Sequence, residues 1–124
     1  MDAKDKTLGR ISTEIVAYLM GKHKPNYSTH MDMGDYVVVV NSKDIKVTGN
    51  KIQDKKYVRH SGYPGGYREI KYMKYLKETP SKILEHAISG MLPENRLKKK
   101  RLARLKLFVN DRHTYSDKFR PKAE

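Results

Sequence analysis

Apolar residues recur at helical spacing in Leu8, Ile11, Ile15, Tyr18 and Leu19. This predicts an amphipathic helix over Leu8–Met20 with one buried face, Thr7 as its cap and Gly21 as its C-cap. The run Tyr36-Val37-Val38-Val39-Val40 does not alternate, which predicts a central strand covered on both faces. A turn at Asn41–Asp44 leads to Ile45-Lys46-Val47-Thr48, predicted as a second, half-exposed strand closed by Gly49-Asn50. Lys51–Asp54 predicts a short helical turn and Lys55–His60 a basic strand. Beyond a glycine-rich loop, Tyr67–Lys77 alternates weakly and then turns helical. Thr79-Pro80 opens another helix, with Ile83, Leu84, Ala87, Ile88 and Met91 as its apolar stripe and Gly90 and Pro93 bounding its end. Asn95–Leu105 reads as a basic helix with a thin leucine edge, and Lys106–Val109 as a last short strand. Helices and strands alternate, so the expected class is α/β, a sheet with helices on both faces.

Length fits one domain, expected over residues 1–109, with residues 110–124 as an extended polar and basic tail. The formal net charge of +13 changes the picture most. Such self-repulsion calls for an anionic partner, and a pI of about 9.9 with clustered Lys and Arg is the footprint of nucleic-acid binding. No cysteine is present, which excludes disulfides and thiolate metal sites. The longest apolar run falls far short of the roughly 20 residues a membrane span needs, and no signal peptide is visible at Met1.

Three basic stretches carry the candidate chemistry. Lys55–Gly66 begins as a basic strand and ends as a loop whose glycines and proline fix a path close to a polyanion. Gly21-Lys22-His23-Lys24-Pro25 follows a helix, whereas a nucleotide-binding Walker loop precedes one and needs a different spacing. In the run Arg96–Lys106 the cations lack acidic neighbours, and like charges such as Lys100 and Arg104 repel at that spacing unless phosphates compensate. A membrane surface is the rival partner, but the apolar edge is too narrow for strong insertion. His23, His30, Asp32 and Asp35 are weighed as metal ligands and set aside, because loop spacing of borderline ligands is a weak signal. Tyr57, Tyr63, Tyr67, Tyr72 and Tyr75 lie among cations, where they could stack on bases or simply pack on a strand face; both readings stay open.

The ordered motifs resemble the universal large-subunit ribosomal protein L-thirteen family in its bacterial and organellar form. The resemblance rests on Lys6-Thr7-Leu8-Gly9-Arg10, Gly21-Lys22-His23-Lys24-Pro25, Met33-Gly34-Asp35-Tyr36-Val37-Val38-Val39, Val47-Thr48-Gly49-Asn50-Lys51, Arg59-His60-Ser61-Gly62-Tyr63-Pro64-Gly65-Gly66 and Gly90-Met91-Leu92-Pro93. It implies a three-layer α/β/α fold with a small, mainly parallel central sheet. It also implies a structural protein that binds large-subunit ribosomal RNA beside neighbouring ribosomal proteins, joins early in assembly, and has no catalytic activity, cofactor, metal, membrane partner or small-molecule substrate. Two departures stand out. Family members carry a further strand before the Asp2-Ala3 equivalent, so a segment is expected to be missing. The segment 95–108 looks more like fungal mitochondrial members, which leans the expected location to a ribosome of the mitochondrial matrix over the bacterial cytoplasm.

The expected RNA contacts are Lys22, His23, Lys24, Lys51, Lys55, Arg59, His60, Ser61, Lys98, Lys99, Arg101 and Arg104, with Gly62, Gly65 and Gly66 shaping the loop. The Lys22–Lys24 loop, the Arg59–Gly66 loop and the Arg96–Lys106 helix are expected to form walls on one side of the fold. Two alternatives remain. One is a free regulator that binds messenger RNA, and the other is an enzyme using His60 or the His30, Asp32 and Asp35 group, which requires those side chains to converge.

Overall fold

The computed structural model describes residues 1–119. Helix α1 spans Leu8–Met20 and turns Leu8, Ile11, Ile15 and Leu19 inward, as their spacing requires. Ser12 is fully buried on the same helix and satisfies its hydroxyl by donating to the Leu8 carbonyl at 2.7 Å. Thr7 makes no side-chain cap hydrogen bond, but Gly21 ends the helix in the left-handed region, φ 82°. Strand β1, Val37–Val39, is buried throughout. Val37 and Val39 join the main apolar cluster, while Val38 is covered from the opposite face.

After a 3-10 turn at Ser42–Asp44, helix α2 (Lys51–Asp54) leads into an antiparallel hairpin of β2 (Lys56–His60) and β3 (Tyr67–Lys71). Helices α3 (Tyr72–Glu78) and α4 (Pro80–Met91) follow, then α5 (Lys98–Ala103) and β4 (Leu105–Leu107). Strand β4 returns to pair in parallel with β1, Val37 opposite Leu105 and Val39 opposite Leu107. A parallel pair needs a crossover, and here the crossover carries the hairpin and four helices between its two strands. Helix α4 packs Ile83, Leu84 and Ile88 against α1. The protein is thus α/β with a parallel pair in its sheet, and the hairpin forms a second, antiparallel sheet.

Some expectations change. Ile45–Thr48 is not a strand: it makes one parallel bridge, Thr7 with Lys46, because the partner segment turns into α1 immediately afterwards. The basic helix is six residues long, since the parallel ladder with β1 draws Leu105–Leu107 into a strand. Residues from Asn110 fold back in part: the Asn110 carbonyl accepts from the Asn41 N–H, and the Tyr115 and His113 rings meet Phe108. A 3-10 turn at Ser116–Phe119 closes the described chain, and the expected tail residues 120–124 lie outside it. No helix among the described residues is long and apolar enough to cross a membrane.

Close approach decides position 34 most sharply. A Cβ on Gly34 would sit 1.7 Å from the Leu19 carbonyl oxygen and 3.2 Å from Arg104 Nη2. A Cβ on Gly9 meets nothing within 4 Å. Gly34→Ala is therefore expected to cost about 3 kcal/mol in chemical denaturation, whereas Gly9→Ala should gain up to about 1 kcal/mol through helix propensity. Equal effects of the two would refute the close contact.

Candidate nucleic-acid interface

The loop after α1 is built on one carboxylate. Asp35 accepts from Lys24 Nζ at 2.8 Å and meets His23 Nε2 at 2.8 Å. The His23 ring also packs on Tyr18, centroids 4.9 Å apart. Lys24 above all, aided by His23 and opposed by burial, holds the Asp35 carboxyl below its ordinary range. Two of the three basic side chains expected to face RNA here are thus partly neutralised, while Lys22 stays exposed.

Arg104 ties the same loop to the far end of the chain. Its Nη1 donates to the Gly34 carbonyl at 2.7 Å and its Nη2 pairs with the Asp32 carboxylate. With its side chain only 13% exposed, Arg104 is engaged by the fold and presents little open surface for the expected RNA contact. Arg101, also expected to contact RNA, is 1% exposed, with Nε and Nη1 buried and unpaired. The signal was present in its spacing. Arg101 lies four residues from both Leu97 and Leu105, on the apolar edge of the helix. Lys98 pairs with Glu94, leaving Arg96, Lys99 and Lys100 as the exposed cations of that segment.

Lys51 and Lys55 converge on a cleft of about 260 Å³ whose other walls include Thr7, Gly9 and Thr48. Burial chiefly, and Lys51 next, lower the Lys55 pKa. The first turn of α1, which points its positive dipole end here, contains no acid. Sequence reading missed Thr7 and Thr48 as members of this cleft; the Thr7–Lys46 bridge and the Asp5–Lys46 ion pair bring the two segments together.

The hairpin tip is ordered by its own backbone. Gly66 N–H donates to the Tyr63 carbonyl at 2.9 Å, closing a turn with Pro64 second and Gly65 third at φ 73°. That is the geometry a proline-glycine turn with a positive third φ provides. His60 Nδ1 accepts from the Gly62 N–H at 2.8 Å, so one ring nitrogen is spent on the loop. A Cβ on Gly66 would lie 1.9 Å from the Ser61 hydroxyl oxygen. Arg59 remains exposed on β2.

Of the three expected walls, the Lys22–Lys24 loop and the end of the basic segment meet through Asp32, Gly34 and Asp35. The hairpin packs instead toward α3 and α4. The enzyme alternative fails its own requirement. His30 bonds Ser28, Asp32 pairs with Arg104, and Asp35 with Lys24 and His23. Among the described residues no group of three or more acidic or histidine side chains could hold a metal.

The sequence profile described as Ribosomal protein L13 matches residues 1–114. The chain belongs to the ribosomal protein L13 family. A relative from Hahella chejuensis called large ribosomal subunit protein uL13 is 49% identical over 116 residues, which is 94% of this chain and 82% of the relative. A protein of the same name from Nitratidesulfovibrio vulgaris is 51% identical over 116 residues, 94% of this chain and 81% of its own. Another, from Syntrophomonas wolfei, is 47% identical over 115 residues, 93% and 80% respectively. These L13 relatives are bacterial and lend no support to the mitochondrial leaning drawn from residues 95–108. L13 is a family of structural ribosomal proteins, so the chain is not an enzyme.

The Asp35 pairing yields a pH prediction. Its folded pKa lies below the unfolded value near 3.8, so its contribution is present above that value and is lost as pH falls through the folded pKa. Asp35→Asn should lower stability at neutral pH by less than about 1 kcal/mol, because the pair is half exposed. It should also flatten the acid limb below the carboxylate range in denaturation curves taken across pH. An unchanged limb would show that the pairing is not formed in solution.

Proposed function

We propose that this chain is a structural constituent of the large ribosomal subunit that binds large-subunit ribosomal RNA and supports early subunit assembly. Membership in the L13 family carries the reading. The charge distribution supplies the means. Lys22, Arg59, Arg96, Lys99 and Lys100 are exposed, and no ion pair is seen for them among the described residues. Each can neutralise a phosphate and release its counterion. Lys51 and Lys55 crowd together beside the start of α1, where an incoming phosphate would relieve their repulsion. His23 and Lys24 reach RNA while sharing Asp35, and Lys98 while sharing Glu94. His60 and Ser61 offer a ring and a hydroxyl at the hairpin tip, Gly62 and Gly65 leave open space where a side chain would stand, and Gly66 closes the turn. Neighbouring large-subunit proteins complete the partner set. A mitochondrial setting rests on residues 95–108 alone, and a sedimentation gradient from purified mitochondria decides it.

Affinity for large-subunit ribosomal RNA should fall linearly on a log–log plot against salt, with a slope of several units. Binding that ignores salt would overturn the phosphate mechanism. Gly65 has a positive φ and nothing within 4 Å of a would-be Cβ, so Gly65→Val strains the turn without meeting the core. It should weaken RNA binding more than it lowers the melting temperature of the free chain. A collapse in melting temperature would make the tip a folding element instead.

A further inference from the structure

Between the β2–β3 hairpin and α4 lies a cleft of about 310 Å³, in the lower range of small-ligand pockets. The strand wall presents Tyr57 and Arg59, and the helix wall presents Glu85, His86 and Ser89. Three rings meet there at right angles. Tyr57 stands edge-on to Tyr75, centroids 5.0 Å and planes 82° apart, and to His86 at 5.0 Å and 90°. Tyr57 is 8% exposed, yet its hydroxyl is buried without a hydrogen-bond partner. Burial pushes that hydroxyl's pKa up to about 12, so it stays a neutral donor. A cation stands on each wall, Arg59 on the strand and Lys82 on the helix.

We infer that this cleft receives one unstacked nucleotide of the bound RNA, its base against the Tyr75 and His86 rings that Tyr57 holds edge-on, and its phosphates toward Arg59 and Lys82. The inference rests on the RNA-binding reading above and names where a base, rather than backbone, is held. Ring faces stack on any base, and unpaired nucleotides are what proteins read most readily in RNA. A base edge also supplies partners for the polar lining. Ser89 and His86 can donate or accept, and the Glu85 carboxylate accepts from an exocyclic amino group. An apolar side chain from a protein would leave those groups unpaired, at a cost. The two flanking cations, on a chain of net charge +13, favour a polyanion.

The test measures binding of the full chain to purified large-subunit ribosomal RNA over a range of salt. Ser89→Trp plugs the cleft, and His86→Ala removes one ring wall. Ser89→Trp should weaken binding about tenfold or more at every salt concentration, as expected for one lost base stack. The salt slope should stay steep, falling at most by the share that the phosphates at Arg59 and Lys82 supply. His86→Ala leaves those cations in place and should weaken binding several-fold at constant slope. Melting of the free variants checks folding, and His86→Ala decides if Ser89→Trp fails to fold. Wild-type affinity in both variants, with the steep salt response intact, overturns the base cleft while leaving the RNA reading standing. A flat salt response in the wild-type chain overturns both. Variants that bind RNA normally but drop out of large subunits on a gradient would assign the cleft to a protein neighbour and overturn the inference.

Discussion

Parallel pairing between Val37–Val39 and Leu105–Leu107 joins segments far apart in the chain, and most of the basic architecture hangs on it. The ladder stops α5 after six residues and delivers Arg104 beneath the loop of residues 31–35. That loop approaches Leu19 so closely that only glycine fits at position 34. Asp35 then fixes His23 and Lys24 from the other side. One sheet contact thereby sets the position of two basic segments that lie 70 residues apart in sequence.

The excess charge divides into cations that build the fold and cations that it leaves on the surface. Among the described residues, Arg101 and Arg104 are interior, Lys24, Lys46, Lys56 and Lys98 are shared with carboxylates, and Lys22, Arg59, Arg96, Lys99 and Lys100 face outward. The unpaired interior nitrogens of Arg101 carry a desolvation cost that the packing around this 1%-exposed side chain must offset. Charge counting alone treats all of these alike. The distinction comes from which face of a short helix each residue occupies.

Periodicity made α1, α4, the buried β1 and the basic hairpin strand readable in advance, because each rests on residues near in sequence. Gly21 and the Tyr63–Gly66 turn were readable for the same reason: their geometry is local. Two features were not. Ile45–Thr48 has a strand's alternation but no adjacent segment long enough to pair with it. The length of α5 depends on a partner strand at the far end of the chain, which no window of neighbouring residues contains. At the candidate interface the residue types were legible and the exposure was not. Arg101 and Arg104 look the same as Lys99 in a charge run and differ only once the fold buries them.

The distance along the chain between β1 and β4 has a consequence for synthesis. Residues emerge from a translating ribosome in order, at about 5–20 per second. Helix α1 and the 21–35 loop are therefore made long before Arg104 and Leu105–Leu107 exist to fasten them. Until those residues appear, β1 has an open edge and Asp32 lacks its cation. Seconds of synthesis separate the valine strand from the segment that covers its second edge, its first edge being held by Met1–Ala3. A chain truncated just before Leu105 would keep most of its positive charge and lose the fastening that organises it.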